Sequence, residues 1–211
     1  MYKTKKILFL DAVTTGYNPD RHCIYRLGGI FTENGQETGR FELKMQPPKD
    51  ALIAEDALRV TGETRSGLMK YPQQDEAFGL FLNILDRKVN QYDMDDKLYI
   101  GGFTASMVEF PFIKKWFVRN GNRNFRNYFC YQTIDISTLA AFALMDEPVG
   151  GKGFQLWNVA ERLGVDPTVS GEFSCLDDCR TSSEIYRKLR VRFHMEEGAD
   201  APVFNEVIRN F

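Results

Sequence analysis

The chain has 211 residues, of which 43% are hydrophobic and 27% are charged, and it contains 17 Phe and 9 Tyr. This composition excludes a disordered or fibrous protein, and the length fits one domain with at most a small appendage. With 27 Lys and Arg against 29 Asp and Glu, the net charge is −2. A general attraction to polyanions is therefore excluded, and any nucleic-acid surface has to be local.

Cellular location follows from cysteine usage and from the apolar segments. The four cysteines form no C-x-x-C pair, and the N-terminal residues MYKTKK lack the apolar segment of a secretory signal. No uninterrupted apolar run approaches the roughly 20 residues that a membrane-spanning helix needs. We expect a cytoplasmic protein with reduced thiols and no membrane partner. Cys175 and Cys179 are one helical turn apart, and packed thiols are favoured over a zinc site because no further ligand has suitable spacing.

The first part of the chain predicts three consecutive strands. Residues 6–11 are apolar and lead into the turn-forming segment TTGYNPD, and further strands are predicted over 23–31 and 39–45. Asn34 and Gly35 lie between the last two, and this pair strongly favours a tight hairpin.

Strands alternate with helices in the remainder of the chain. A short helix is predicted within the otherwise irregular segment EDALRVTGETRSGLMKYP and a longer one over 75–89, then a strand over 98–103, a helix over 108–121 and a strand over 128–135. Three more helices are predicted in STLAAFALM, GFQLWNVAERLGV and CLDDCRTSSEIYRKLRVRF. This order favours an α/β fold with a mixed sheet covered by helices. We expect one domain over 1–195 and a tail over 196–211.

The end of the first strand carries one carboxylate where a metal enzyme would present two. Side chains two residues apart in a strand point to the same face, so a D-x-E sequence would set two carboxylates side by side. Here Asp11 is followed at that spacing by Val13. Asp11 taken alone could also be a turn or cap residue.

The last helix offers a second carboxylate. Asp178 shares a helical stripe with Ile185 and Leu189, whereas Asp177 aligns with polar residues. We therefore expect Asp178 on the core side and Asp177 in solvent. An inward carboxylate is costly unless it is paired or binds an ion, which leaves two readings of Asp178: a salt bridge, for example to Arg26, or a metal ligand.

These segments resemble the DnaQ-like 3′–5′ exonucleases, the DEDD group with a ribonuclease H-like fold. The family's first motif, D-x-E-T-T-G after an apolar strand, corresponds to FLDAVTTG, and CIYRLGGI and EDALRVTG follow in the expected places. The second motif, H-N-A-x-F-D-x-x-F-L, aligns with residues 104–113, and the third, H-x-A-L-x-D-A, with residues 173–179. The resemblance implies a five-stranded mixed sheet flanked by helices.

The departures from the family fall on its chemistry. Such enzymes use four carboxylates to hold two divalent metals, and a histidine serves as general base. By the resemblance, this chain retains or alters these positions as follows: Asp11 and Asp178 are kept, Glu109 replaces an Asp, Val13 replaces a Glu, and Phe173 replaces the His. An alternative alignment puts Val108, instead of Glu109, at the position of the family's second-motif Asp. Glu109 could also simply favour the dipole at its helix start.

Two functions remain open from the sequence. In the first, the protein is a degenerate exonuclease that binds a single-stranded 3′ end or a protein partner, with Mg²⁺ or Mn²⁺ bound weakly at Asp11 and Asp178 or not at all. In the second, it is an active exonuclease that uses Asp11, Glu109 and Asp178. His22 is the histidine with a route to the site, from the loop after Asp11.

Nucleic-acid contacts are expected from two segments. By the resemblance, Thr14 and Thr15 of the TTG turn are candidates. The basic, aromatic-rich segment 113–129 adds Lys114, Lys115 and Arg119, because such segments can track phosphates while rings stack on bases. The alternative for this segment is a solvated helix end whose aromatic rings belong to the core.

Overall fold

The structure, a computed structural model, describes residues 5–146, 153–167 and 174–196. Its sheet has five strands in the order β3-β2-β1-β4-β5. The strands are β1 (Lys6–Thr14), β2 (Ile24–Glu33), β3 (Gln36–Lys44), β4 (Leu98–Gly102) and β5 (Phe129–Asp135). β1, β2 and β3 pair antiparallel, whereas β4 pairs parallel with both β1 and β5. The predicted mixed five-stranded sheet is confirmed.

The hairpin between β2 and β3 turns where the sequence predicts it. Asn34 has a φ of 52° and Gly35 a φ of 79°, so both central residues adopt the left-handed conformation that a tight two-residue hairpin requires. β1 differs from the prediction, because it runs on to Thr14 instead of ending at Asp11. Its extra residues remain in the sheet because they pair with β2 as far as Ile24.

Eight helices connect and cover the strands within the described residues. They are α1 (Glu55–Arg59), α2 (Arg65–Leu68), α3 (Gln74–Asp86), α4 (Glu109–Arg119), α5 (Phe125–Tyr128), α6 (Ile136–Ala143), α7 (Leu156–Arg162) and α8 (Cys175–Glu196). One short helix was predicted where α1 and α2 lie, and α5 was not predicted. None of the helices in these ranges combines the length and the apolar character needed to cross a membrane. The predicted tail from residue 197 onwards lies outside the described residues.

The alternation of side chains along β1 divides the core in two. Leu8 and Leu10 point into the larger apolar cluster, which includes the rings of α3 and α4. Ile7 and Phe9 point to the other face, where they pack with residues of α6, α7 and α8. Helices therefore cover both faces of the sheet, and the end of β1 lies between α4 and α8.

The seat of α8 on the sheet depends on Gly28. A Cβ atom at Gly28 would lie 2.4 Å from the Cβ of Cys175 and 3.0 Å from its backbone carbonyl carbon. Only glycine permits this close approach, because the clash involves the backbone of a helix and not a flexible side-chain end. Gly28 thus allows the first turn of α8 to rest directly beside Asp11, its neighbour in β1.

We predict that Gly28→Ala lowers the free energy of unfolding by about 1–3 kcal/mol, because the methyl group forces α8 away from the sheet. Urea unfolding followed by circular dichroism measures this. Gly79→Ala is the control: Gly79 lies inside α3 with open space around its Cα, so that substitution should stabilise the fold by about 0.5–1 kcal/mol. Equal stability of the Gly28→Ala variant and the unmodified protein would contradict the close packing described.

Candidate active site

Asp11 is the central residue of the site. It pairs across the ladder with Gly28, and Gly28 pairs with Glu42, so Glu42 lies in the same row of the sheet. The Oδ2 atom of Asp11 is buried and has no hydrogen-bond partner. Burial raises the pKa of Asp11 from 3.8 to about 6, a hydrogen bond from the Cys175 thiol opposes this rise, and the charge of Glu42 adds to it. Such an oxygen is an unfulfilled acceptor at the base of the site.

Glu109 is the second carboxylate, and it begins α4. Its side chain is only 3% exposed, and it accepts hydrogen bonds from the Thr104 hydroxyl (3.5 Å) and the Ala12 backbone. Burial and the charge of Asp11 raise its pKa from 4.5 to about 8. Val108 instead packs against the apolar core. The structure therefore places Glu109, and not Val108, beside Asp11.

Asp178 approaches Asp11 from α8. It is half-buried, and burial together with the charges of Asp11 and Asp177 raises its pKa from 3.8 to about 7. The expectation that Asp177 faces solvent was wrong, because this residue is 7% exposed and lies 3.6 Å from Arg180. A helical wheel assumes one buried face, whereas α8 packs against strands of the sheet and also against α6 and α7.

Arg26 does not form the expected salt bridge with Asp178. It lies 3.1 Å from Glu63, and the Tyr71 hydroxyl donates a hydrogen bond to the same Glu63 oxygen. The charges that act on Asp178 are acidic ones. Arg26 pairs across the ladder with Val13, so a cation lies two rows of the sheet away from the acidic row of Asp11.

Val13, which stands where the family's motif has a carboxylate, is part of an apolar cluster. It packs, half-buried, against a cluster of Tyr25, Leu58 and Leu68. No group of three or more His, Cys, Asp or Glu side chains in residues 5–146, 153–167 and 174–196 is arranged to hold a metal ion. The charge of Asp11 thus acts on both Glu109 and Asp178, but the three carboxylates do not form a closed ligand set. Val13 offers no oxygen donor to a second ion in this arrangement.

Neither predicted general-base position supplies an imidazole near Asp11 in the described structure. Phe173, the residue at the position of the family's histidine, lies outside the described residues. The His22 ring covers Gly16, where a Cβ would lie 2.4 Å from the ring, and its Nδ1 is 2.9 Å from the Leu52 carbonyl oxygen. His22 therefore packs on the turn after β1 and not against Asp11.

The nucleic-acid candidates of the TTG turn and α4 have different outcomes. Thr15 is fully buried and its hydroxyl donates to the Leu52 carbonyl oxygen, so its side chain is not exposed to a ligand in this structure. Thr14 donates to Gly16 within the turn. Lys115 binds Asp20 at 2.6 Å, and Arg119 donates to the backbone carbonyls of the same loop. Lys114 is the member of the set that is exposed.

The aromatic residues of the segment 113–129 follow the alternative reading. Trp116, Phe125 and Tyr128 are 3%, 7% and 3% exposed and belong to the larger core cluster. Stacking on bases is therefore excluded for these three rings in this conformation.

Sequence reasoning missed Asp135, a carboxylate that organises the edge of the site. It caps α6 and accepts hydrogen bonds from Ser106, Ser137 and Thr138. Burial would raise the pKa of Asp135, but these hydrogen bonds outweigh it and hold the pKa below 3.8. The signal was available, since Asp followed by Ser and Thr at the end of a strand is a typical helix start.

Comparison with known proteins places this geometry in context. The family model described as Exonuclease, of the RNase T type, matches residues 8–186. A product-bound structure of exonuclease I superposes with a TM-score of 0.71 at 16% identity, covering 92% of this chain and 45% of that one. The exonuclease I of Methylocaldum szegediense gives 0.69 at 19% identity, covering 89% and 41%.

A further structure, of E. coli exonuclease I in complex with a dT13 oligonucleotide, gives a TM-score of 0.71 at 16% identity and covers 92% of this chain and 43% of that one. The chain thus spans less than half the length of these solved structures. No curated protein sequence matches it.

Proposed function

Because this chain belongs to the RNase T-type exonuclease family, as a DnaQ-like 3′–5′ exonuclease with a ribonuclease H-like fold, we propose that it is a degenerate member with little or no phosphodiesterase activity. It acts by binding nucleic acid, and a single-stranded 3′ end is the form that the retained scaffold would accept. The observation that carries this proposal is Val13, a hydrocarbon in an apolar cluster where the family presents a carboxylate.

The remaining carboxylates support this proposal. In related enzymes, paired ions stabilise the attacking and leaving oxygens of phosphodiester cleavage. Hydrocarbon cannot ligate a hard cation, which takes oxygen ligands. Burial and the charges of neighbouring carboxylates raise the pKa values of Asp11, Glu109 and Asp178 to about 6, 8 and 7. Near neutral pH the cleft therefore carries less negative charge than three ionised carboxylates would give, which lowers its repulsion of phosphates.

The proposed location is the cytoplasm. All four cysteines carry free thiols, and three of them are buried. A reducing compartment preserves this state.

Incubation with labelled single-stranded DNA and RNA tests the loss of activity. In Mg²⁺ or Mn²⁺ we expect no trimming above background, because loss of a general base alone typically costs about 10²–10⁴ in rate and the donor set is also incomplete. Trimming from the 3′ end that requires metal and disappears in Asp11→Ala would overturn the proposal. The Asp11→Ala variant also controls for contaminating nucleases.

A working exonuclease that uses a single cation is the second candidate, and the unpartnered Oδ2 of Asp11 favours it. Asp11 and Asp178 would then offer oxygen to one ion, with Glu109 beside them. Calorimetric titration with Mg²⁺ and Mn²⁺ distinguishes the two candidates. Absence of binding at millimolar concentration removes the second one.

A protein partner is the alternative to nucleic acid for the degenerate form. A pull-down that recovers a stoichiometric protein in the presence of nuclease and high salt would favour it. Loss of the partner on nuclease treatment would favour nucleic acid.

A further inference from the structure

Positive charge is concentrated in one segment of this acidic chain. Residues 110–134 contain five Lys or Arg and no Asp or Glu, whereas the rest of the chain has 22 Lys and Arg against 29 Asp and Glu. Two of the five cations, Lys115 and Arg119, bind the loop around Asp20. The other three, Lys114, Arg123 and Arg126, are exposed. Within the described part of the chain, no carboxylate lies within 4.0 Å of the charged nitrogens of these three residues.

Two aromatic rings lie among these cations. Tyr131, on the edge strand β5, is 65% exposed. Its ring meets that of Phe110 edge to face, with centroids 5.9 Å apart, and Phe110 meets the buried ring of Phe125 in the same way at 5.3 Å. Phe110 thus supports the Tyr131 ring from the core side. We call Phe110, Tyr131, Lys114, Arg123 and Arg126 the β5-edge patch.

Chain geometry places the cations around the rings. Lys114 lies one helical turn after Phe110 in α4, so both residues share a face of that helix. Arg123 and Arg126 flank Phe125, which contacts Phe110. The backbone at Arg126 is held by Lys97, whose Nζ lies 2.6 Å from its carbonyl oxygen. The patch is therefore built on fixed backbone rather than on a long loop.

We propose that the β5-edge patch binds single-stranded nucleic acid outside the cleft, with a base stacked on Tyr131 and the phosphates on Lys114, Arg123 and Arg126. The absence of acidic residues across 110–134 suits a polyanion, and stacking on an exposed ring does not depend on base identity. A duplex would hide its base faces, so the patch fits single strands. The inference rests on the proposed function, and it names a surface for it.

The patch starts where the cleft ends. Glu109, which faces Asp11, and Phe110 are consecutive residues in the first turn of α4. About 100° of helical rotation separates neighbouring side chains, so Glu109 points towards Asp11 while Phe110 points towards Phe125 and Tyr131. A strand whose end occupies the cleft can therefore continue over the patch.

Fluorescence anisotropy with a labelled 15-nucleotide oligo(dT) or oligo(U) tests the proposal. The buffer contains EDTA, so that binding is measured independently of cleavage. We expect Tyr131→Ala to weaken binding about tenfold, because stacking contributes about 1–3 kcal/mol per base, and Tyr131→Phe to bind like the unmodified protein. Lys114→Gln should reduce the slope of log K against log salt by about 0.7, the value for one phosphate contact on a single strand.

Phe142→Ala and Lys70→Gln are the matched controls. Phe142 is 66% exposed on α6, and Lys70 is exposed after α2, so both changes remove similar groups outside the patch and should leave binding unchanged. Binding that persists within twofold in Tyr131→Ala, with an unchanged salt slope in Lys114→Gln, would overturn the patch while leaving the degenerate-exonuclease proposal intact. Failure of the unmodified protein to bind either oligonucleotide at low salt would overturn the patch and favour a protein partner. If the protein is an active exonuclease, the trimming assay shows this and the binding assay does not.

Discussion

Replacing Val13 with Glu is expected to create divalent-cation binding that the unmodified chain lacks or shows only weakly. Val13 and Asp11 point to the same face of β1, two residues apart. The new carboxylate would add the oxygen donor that the family's motif provides there. We expect Mn²⁺ to bind at least about tenfold more tightly in calorimetric titration, since a hard cation gains an anionic oxygen ligand.

The surroundings of Val13 determine the control for this experiment. Arg26 lies opposite Val13 in the ladder, where it also contacts Glu63. Val13→Gln has the same length without the charge and disturbs the apolar cluster equally. Tighter Mn²⁺ binding by Val13→Glu but not by Val13→Gln assigns the effect to the carboxylate. Equal affinity in all three proteins would show that Val13 is not what limits metal binding.

Glu109→Gln is expected to stabilise the protein at neutral and alkaline pH. The pKa of Glu109 is about 8 in the folded protein against 4.5 for an ordinary Glu. Between these values the folded state keeps a proton that the unfolded state has released, so stability falls as pH rises from about 4.5 to about 8. Removing the charge should restore on the order of 2 kcal/mol at pH 8, or about 4–8 °C in melting temperature for a domain of this size.

Thermal melts at pH 5, 6, 7 and 8 measure this effect. The difference between Glu109→Gln and the unmodified protein should grow with pH. Asp135→Asn is the control of opposite sign: the pKa of Asp135 is held low by its hydrogen bonds, so its charge stabilises the fold. We expect Asp135→Asn to destabilise the protein by about 1–3 kcal/mol at pH 7. A Glu109→Gln variant that is less stable than the unmodified protein at pH 8 would contradict the buried, repelled state of this carboxylate.

Local patterns in the sequence predicted most of the fold. The Asn34–Gly35 hairpin, the alternation along β1 and the helical spacing in α3 depend on neighbours within a few residues. The same is true of Glu109, whose place in the alignment with the family's second motif follows from the sequence Phe-Pro-Phe-Ile at residues 110–113. These features need no knowledge of the rest of the chain.

Features that depend on distant packing were missed. Glu63 captures Arg26 from 37 positions away, and no local pattern identifies that partner. Thr15 was chosen by analogy with the family's turn, but the Leu52 carbonyl draws its hydroxyl inward. Asp177 is 7% exposed although its helical spacing is that of polar residues, because α8 packs against α6 and α7 as well as against the sheet. In each case a residue's environment is set by an element that joins it only in the folded chain.

The bonds from α4 to the turn after β1 have a kinetic consequence. Lys115 and Arg119 reach the loop of Asp20 and His22 through a salt bridge and two carbonyl contacts. These contacts hold this side of the cleft in place before a ligand binds. A mobile lid, in contrast, would have to close over the bound ligand. Encounter should accordingly proceed in a single step, with a rate governed by diffusion and ionic strength rather than by a slow closing movement.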